Sequence, residues 1–246
     1  MTDQTTRLDT AFVAGATGAT GRALTELLAP RVETLVTLTR DSANGESLHA
    51  LGADEVFVDD LLDPDGLEMA LAGVDAVFST VGTAATQVHA GGPYVDGEGN
   101  RTLVAAAEAT DVDTVVLESA LGVGDEPASP LAAVFEAAIG PVQAAKADAE
   151  AALRDADVRH TILRPGVLTG SPRTDDVTVA DPGAKLWGTV SRADVARLLA
   201  AAATTPAAAD RTFEVVSTPS FPDRAVDVDW RLPRRPDGTD VPVQVV

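Results

Sequence analysis

The chain predicts an α/β domain in three layers, a doubly wound parallel sheet with helices on both faces, and three observations carry that reading. Short runs rich in Val, Leu and Phe alternate with Ala- and Leu-rich stretches at helical spacing, as a parallel sheet covered on both sides requires. The first run leads at once into glycines spaced by threes and then into a helical pattern. The length of 246 residues and a hydrophobic fraction of 45% suit one such domain with an ample core.

In chain order the strand-like runs begin with "TAFVAG", "TLVTLTR", "DEVFVD" and "DAVFSTVG". They continue with "DTVVLESA", "RHTILRPG" and, late, "TFEVVST". Each is a short apolar run bounded by turn or helix-start residues. Between them stand the helical segments "GRALTELLAP", "SLHALG", "PDGLEMALAG", "EGNRTLVAAAEATD", "AAKADAEAALRDAD" and "SRADVARLLAAAAT". No repeat of solenoid length recurs. After Ser217 the chain turns rich in Pro and charge. This divides it into a binding domain over residues 1–217, substrate loops included, and a C-terminal extension over 218–246, with one edge strand expected at "AVDVDW" and a poorly ordered remainder.

Charge and composition exclude several classes of function. Asp and Glu number 38 against 18 Lys and Arg, a formal net charge of -20, and such a field repels nucleic acid and anionic membranes. The acids are scattered, and lysine is confined to Lys146 and Lys185. A polycationic partner is one reading of such charge; the scatter and the scarce lysine favour the other, a halophile's salt-rich cytosol, where carboxylates keep a surface hydrated and salt screens their repulsion. With no cysteine there are no disulfides, thiolate metal sites or Cys nucleophile. The three histidines lack ligand spacing, so no metal is expected. No apolar run approaches the roughly 18 residues of a membrane span. The expectation is a cytoplasmic monomer or homodimer acting on a small molecule, without nucleic-acid or membrane partners.

Gly15, Gly18 and Gly21 lie where a dinucleotide site needs them, between the first strand and the first helix. The first permits a tight turn, the second a close approach of backbone to pyrophosphate, and the third close packing of helix on strand. The intervening Thr17, Ala19 and Thr20 belong to the same phosphate-wrapping turn. This is the opening of a Rossmann fold. The second strand ends at Arg40, and no further Lys or Arg occurs before Arg101. An arginine there grips a 2′-phosphate, whereas an acid would bind the 2′-hydroxyl of NAD, so NADP(H) is favoured over NAD(H). Arg22 is a further candidate for phosphate contact.

The "GATGATG" turn resembles the glycine motif of the atypical short-chain dehydrogenase/reductase family, which includes NmrA-like and biliverdin-reductase-B-like proteins. The likeness runs from Thr10 to Val216 and recurs in "DLLD", "SALGVG", "TILRPGVLTG" and "SRADVARLL". It implies that Asp60 and Leu61 flank the adenine and that Val81 and Gly82 pass the ribose and nicotinamide. It implies also that Pro165, Gly166 and Val167 shape the main chain at the carboxamide side. The family's Tyr-x-x-x-Lys pair is kept only in Lys146; four residues earlier stands Val142, and the sole tyrosine is Tyr94. Lys146 is then a ribose or substrate contact, with an ion pair to Glu150 as its plainer role. Lys146 and Ser119 are the catalytic candidates; Ser119 ends the fifth strand and is followed by Ala120 where relatives often have a second serine.

The segments "GTAATQVHAGGPY", "GDEPASPLAAVF" and "SPRTDDVTVADPGAKLWG" are expected to form the substrate walls and lid, with His89, Tyr94, Phe135 and Trp187 as candidate lining. The implied activity is reduction of a small conjugated or carbonyl compound, such as a quinone, flavin or enone, the proton coming from water or substrate. Two alternatives stand beside it. One is an NmrA-like sensor that holds NADP(H) without turnover. The other is an NAD-dependent sugar-nucleotide epimerase or dehydratase, which usually needs the tyrosine and a larger C-terminal domain.

Overall fold

A computed structural model describes residues 7–124, 129–217 and 223–237. Among them, the apolar runs become strands β1 (Thr10–Ala14), β2 (Thr34–Thr39), β3 (Glu55–Val58), β4 (Ala76–Ser79), β5 (Thr114–Glu118) and β6 (Arg159–Pro165). Late in the chain comes β10 (Arg211–Val216). In space they lie in the order β3-β2-β1-β4-β5-β6-β10, every neighbouring pair parallel. The expected α/β sheet in three layers is therefore present.

Alternation along the central strands divides the core in two. Val13, Phe78, Val116 and Phe213 point to the layer of α1 (Ala19–Leu28) and α6 (Arg192–Ala202). Phe12, Val77, Leu117 and Ile162 point the other way, toward α3 (Leu67–Leu71), α4 (Asn100–Ala109) and α5 (Pro130–Asp155). Helix α2 (Gly45–Ala50) leads into edge strand β3. The start of α6 is fixed by Ser191, whose side chain accepts from the Asp194 amide at 3.0 Å while its hydroxyl donates to the Asp194 carboxylate at 2.7 Å.

Three departures from the sequence reading concern short or composite elements. Strands β7 (Val167–Thr169), β8 (Thr178–Ala180) and β9 (Thr189–Ser191) are each three residues, too few to show a period. β7 and β9 pair in parallel as a separate ribbon, and β8 adds antiparallel to β10. Helix α5 starts sixteen residues before Lys146, at Pro130, where Ser129 caps it by accepting from the Leu131 amide at 3.2 Å. Much of "GDEPASPLAAVF" is thus helix rather than loop, and Asp125 to Ala128 lie outside the described residues. The helix kinks at Ile139 (φ -137, ψ 27), two residues before Pro141.

The strand expected at "AVDVDW" does not form. One antiparallel bridge, Ala180 to Ala225, replaces it. The segment is nonetheless anchored: Trp230 meets Phe213 edge-on with ring centroids 5.4 Å apart, and Val228 is buried in the α1–α6 core. Residues 218–222 and 238–246 of the extension lie outside the described residues.

Candidate functional site

In the sheet order, β2 departs to one side of β1 and β4 lies on the other, which makes the β1/β4 junction the switch point where open α/β sheets bind ligands. A cleft of about 570 Å³ opens there, beyond the carboxyl ends of β1, β2 and β4. One wall is the turn after β1, with Gly15, Thr17, Gly18 and Ala19; the far end holds Arg40. Asp60, Leu61, Val81 and Gly82 also line it, and Leu168 and Arg192 close it from the β7 and α6 side.

The glycines are required by the backbone itself. Gly15 has φ +80, and a Cβ on it would lie 2.6 Å from the Thr80 carbonyl carbon. A Cβ on Gly21 would sit 2.1 Å from the Gly15 carbonyl oxygen, so α1 can rest on its own entry turn only with glycine there. Helix α1 starts at Gly18 without a side-chain cap and without an acid in its first turn. Its N-terminal amides and dipole are thereby left for an anion in the cleft.

Arg40 is exposed on the cleft rim and makes no ion pair among the described residues. The neighbouring Asp41 accepts from the Ala43 amide at 2.9 Å. Arg22 is exposed and stands outside the cleft lining. Asp60 uses Oδ1 to accept from the Leu62 amide at 3.0 Å, and Leu61 is buried beneath it.

Other expected residues lie elsewhere. Thr20 is buried and its hydroxyl donates to Glu118 at 3.2 Å, away from the cleft. Pro165, Gly166 and Val167 are not in the lining; of that segment only Leu168 reaches it. Gly166 needs to be glycine because a Cβ would stand 2.6 Å from the Gly188 carbonyl oxygen, where β6 passes the β9 approach. The close approach expected there is protein on protein. Of the candidate pocket aromatics, Tyr94 donates its hydroxyl to the Val88 carbonyl at 2.8 Å, and Phe135 packs on the cluster of Leu121, Leu131 and Leu186. His89 is exposed, and Trp187 is 43% exposed.

Beside the cleft, at the carboxyl end of β5, buried charges gather in two linked groups. In the first, Lys146 of α5 donates to Asp96 at 2.8 Å, and Asp96 also accepts from the Thr83 amide at 2.7 Å. The expected Glu150 partner of Lys146 is taken by others. Glu150 accepts from Arg164 at Oε1 (2.9 Å) and Oε2 (2.5 Å), and from Arg154 at 2.6 Å. Ser119 belongs to this second group: it is buried, and its hydroxyl donates to Glu150 at 2.5 Å. The proton that a catalytic serine would use is committed to a structural carboxylate. Burial works to raise the Glu150 carboxyl, but Arg164, Ser119 and Arg154 together hold it below its ordinary value.

Glu118 is the residue that sequence reasoning passed over. It ends β5, fully buried, and burial pushes it up to about 7 against the pull of Lys146, Thr20 and Arg192. The signal was available, since an acid inside "TVVLESA" interrupts an otherwise apolar strand. Asp96 gave no such signal: it lies fifty residues from Lys146, on a single π-helical turn (Val95–Gly99) that leads into α4. Among the described residues no cluster of three or more His, Cys, Asp or Glu is placed to hold a metal, and no helix is long and apolar enough to cross a membrane.

Comparison with known proteins agrees with this geometry. An uncharacterized sugar epimerase of Bacillus subtilis (strain 168), YhfK, is 26% identical over 205 residues, 83% of this chain and 92% of that protein. A Bacillus halodurans structure, provisionally described as an NAD-dependent epimerase/dehydratase, superposes with a TM-score of 0.72 at 26% identity, covering 85% and 94% of the two chains. ChuY, an anaerobillin reductase from Escherichia coli O157:H7, gives 0.70 at 26% identity, covering 87% and 98%. The profile of the NAD(P)H-binding family matches residues 15–206, from the first glycine of the turn to just short of β10, and the chain belongs to that family.

Proposed function

We propose that the protein is an NADP(H)-dependent reductase of a small conjugated or carbonyl compound, such as a quinone, flavin or enone. The observation that carries the cofactor choice is Arg40: in an acidic chain, a guanidinium with no ion pair among the described residues stands at the end of β2 on the cleft rim. A 2′-phosphate there would take a bidentate, charge-assisted contact. The residues present fit a dinucleotide, since Gly15 and Gly21 leave backbone room that any Cβ would fill and α1 opens uncapped beside them. When bound, the cofactor supplies a hydride.

The chain's own residues bind and orient. Gly18 and the first amides of α1 take the pyrophosphate, Asp60 and Leu61 border the adenine, and Val81 and Gly82 border the ribose. Lys146, fixed by Asp96, keeps ammonium protons beyond the one it gives that carboxylate. With buried Val142 in the place of the family tyrosine, no side chain delivers a proton to a carbonyl oxygen in the usual way. An acceptor whose own conjugation stabilises the added electron pair suits such a site. The reductase ChuY supports this reading. The relatives described as epimerases support the alternative, a sugar-nucleotide epimerase or dehydratase, which the missing tyrosine disfavours. Scattered carboxylates and scarce lysine favour a salt-rich cytosol as its setting.

The test is a titration in molar KCl with NADPH and NADH, read by nicotinamide fluorescence, followed by acceptor-dependent oxidation with quinone and flavin. NADPH should bind about tenfold or more tighter than NADH, and Arg40→Ala should remove that difference, as loss of a charged contact implies. Tight NADPH binding without oxidation by any acceptor would favour a sensor over the reductase. Equal affinities in the unaltered protein would refute Arg40 as the phosphate clamp.

A further inference from the structure

A second concentration of positive charge lies outside the dinucleotide cleft, on the outer face of the α1–α6 layer. A groove of about 280 Å³ runs there over Ala23 and Leu27 of α1, and Arg31, Arg173 and Arg197 stand around it. Glu26 is the one carboxylate among the described residues of its lining. Arg31, just past the end of α1, donates from Nη1 to the Leu27 carbonyl at 2.6 Å and has no ion pair among the described residues. Arg173 and Arg197 share one carboxylate, Asp175, at 3.0 and 2.8 Å.

Arg235 of the C-terminal segment lies outside the groove lining but acts on Arg31 through its charge, and its Nε is buried without a hydrogen-bond partner among the described residues. Burial first, then the charges of Arg235 and Arg173, hold the Arg31 guanidinium below its ordinary value.

This placement runs against the composition. With 38 acids for 18 bases, a fold has carboxylates to spare, yet the lining of this groove holds three arginines and Glu26, with Asp175 paired to two of the three. An oxyanion would supply the counter-charge that Arg31 lacks, since guanidinium forks match its oxygens in pairs.

We infer that this groove binds a small oxyanion of the phosphate type, held by Arg31, Arg173 and Arg197, independently of the dinucleotide. The two sites use different parts of the same helices: Ala19 and Arg192 line the cleft, whereas Ala23 and Arg197 line the groove. The groove's volume suits a phosphate or a small phosphomonoester and is too small for a dinucleotide.

The experiment is calorimetric titration of the full chain with inorganic phosphate, at fixed ionic strength in KCl, with and without saturating NADPH. One phosphate should bind per chain, should still bind when NADPH fills the cleft, and should be unaffected by Arg40→Gln. Affinity should fall about tenfold or more in Arg31→Gln and separately in Arg173→Gln, the loss expected for a charged hydrogen bond. Arg173 is more exposed, so its variant keeps the test valid if Arg31→Gln fails to fold. Without phosphate, Arg31→Gln should melt no lower than the unaltered protein, because it relieves repulsion. Phosphate that competes with NADPH, or is lost in Arg40→Gln, lies in the cleft and overturns the inference. So does an absence of saturable binding, or binding that both groove variants leave intact.

Discussion

Replacing Glu118 with glutamine should make the protein's stability less sensitive to pH between 5 and 8. Glu118 is fully buried at the end of β5 and titrates at about 7, against an ordinary value of 4.5. The folded state therefore holds this proton more tightly than the unfolded chain does. The stability that protonated Glu118 gives is present in full below pH 4.5, is lost as pH rises, and is gone above about 7. At about 1.4 kcal/mol per pH unit the whole loss is about 3 kcal/mol.

Glutamine mimics the protonated acid and does not titrate. Glu118→Gln should match the unaltered protein near pH 4 and exceed it by about 3 kcal/mol at pH 8. Glu214, also raised by burial, adds a loss of the same sign, but it is present in both proteins and cancels in the difference. Glu150 and Asp194 are lowered, so the stability they give is lost as pH falls through values below this window. The assay is urea unfolding at four pH values at fixed KCl. A difference between the two proteins that stays constant from pH 5 to 8, whatever its size, would refute the reasoning.

Other substitutions test the same site. Lys146→Ala leaves Asp96 buried with only the Thr83 amide, which should cost about 3 kcal/mol at pH 7 in urea unfolding, and it should move Glu118 further up by removing the charge that holds it down. Ser119→Ala removes one donor from Glu150 and should cost about 1 kcal/mol in the same measurement while leaving NADPH affinity unchanged. Gly21→Ala places a methyl group 2.1 Å from the Gly15 carbonyl oxygen. It should lower stability by about 3 kcal/mol and weaken NADPH binding, read by unfolding and by nicotinamide fluorescence.

The reach of the sequence can be followed residue by residue. The runs around Phe12, Phe78, Val116 and Phe213 were legible as strands because a strand buried on both faces is apolar at every position, whatever its neighbours. Gly15 and Gly21 were legible because their requirement is met within one turn of chain. Arg40 stood out by its place at the end of β2 in a stretch without other cations. The three-residue strands β7, β8 and β9 were not legible, since pairing partners rather than local pattern define them. The packing of Gly166 against Gly188 was not legible either, since the two glycines meet only through the fold.

Composition and local pattern by themselves determined the doubly wound sheet, the glycine turn at its switch point, the acidic character and the placing of Val142, not a tyrosine, four residues before Lys146. All are properties of short segments or of the chain as a whole. Tertiary structure decided which charges meet. It gave Lys146 to Asp96 rather than to Glu150 one turn along its own helix, turned Ser119 onto Glu150, and sealed Glu118 beneath α1 and α6. It also gathered Arg31, Arg173 and Arg197 from three separate parts of the chain. Ion pairing and desolvation depend on distance and burial in three dimensions, and the order of residues along the chain carries neither.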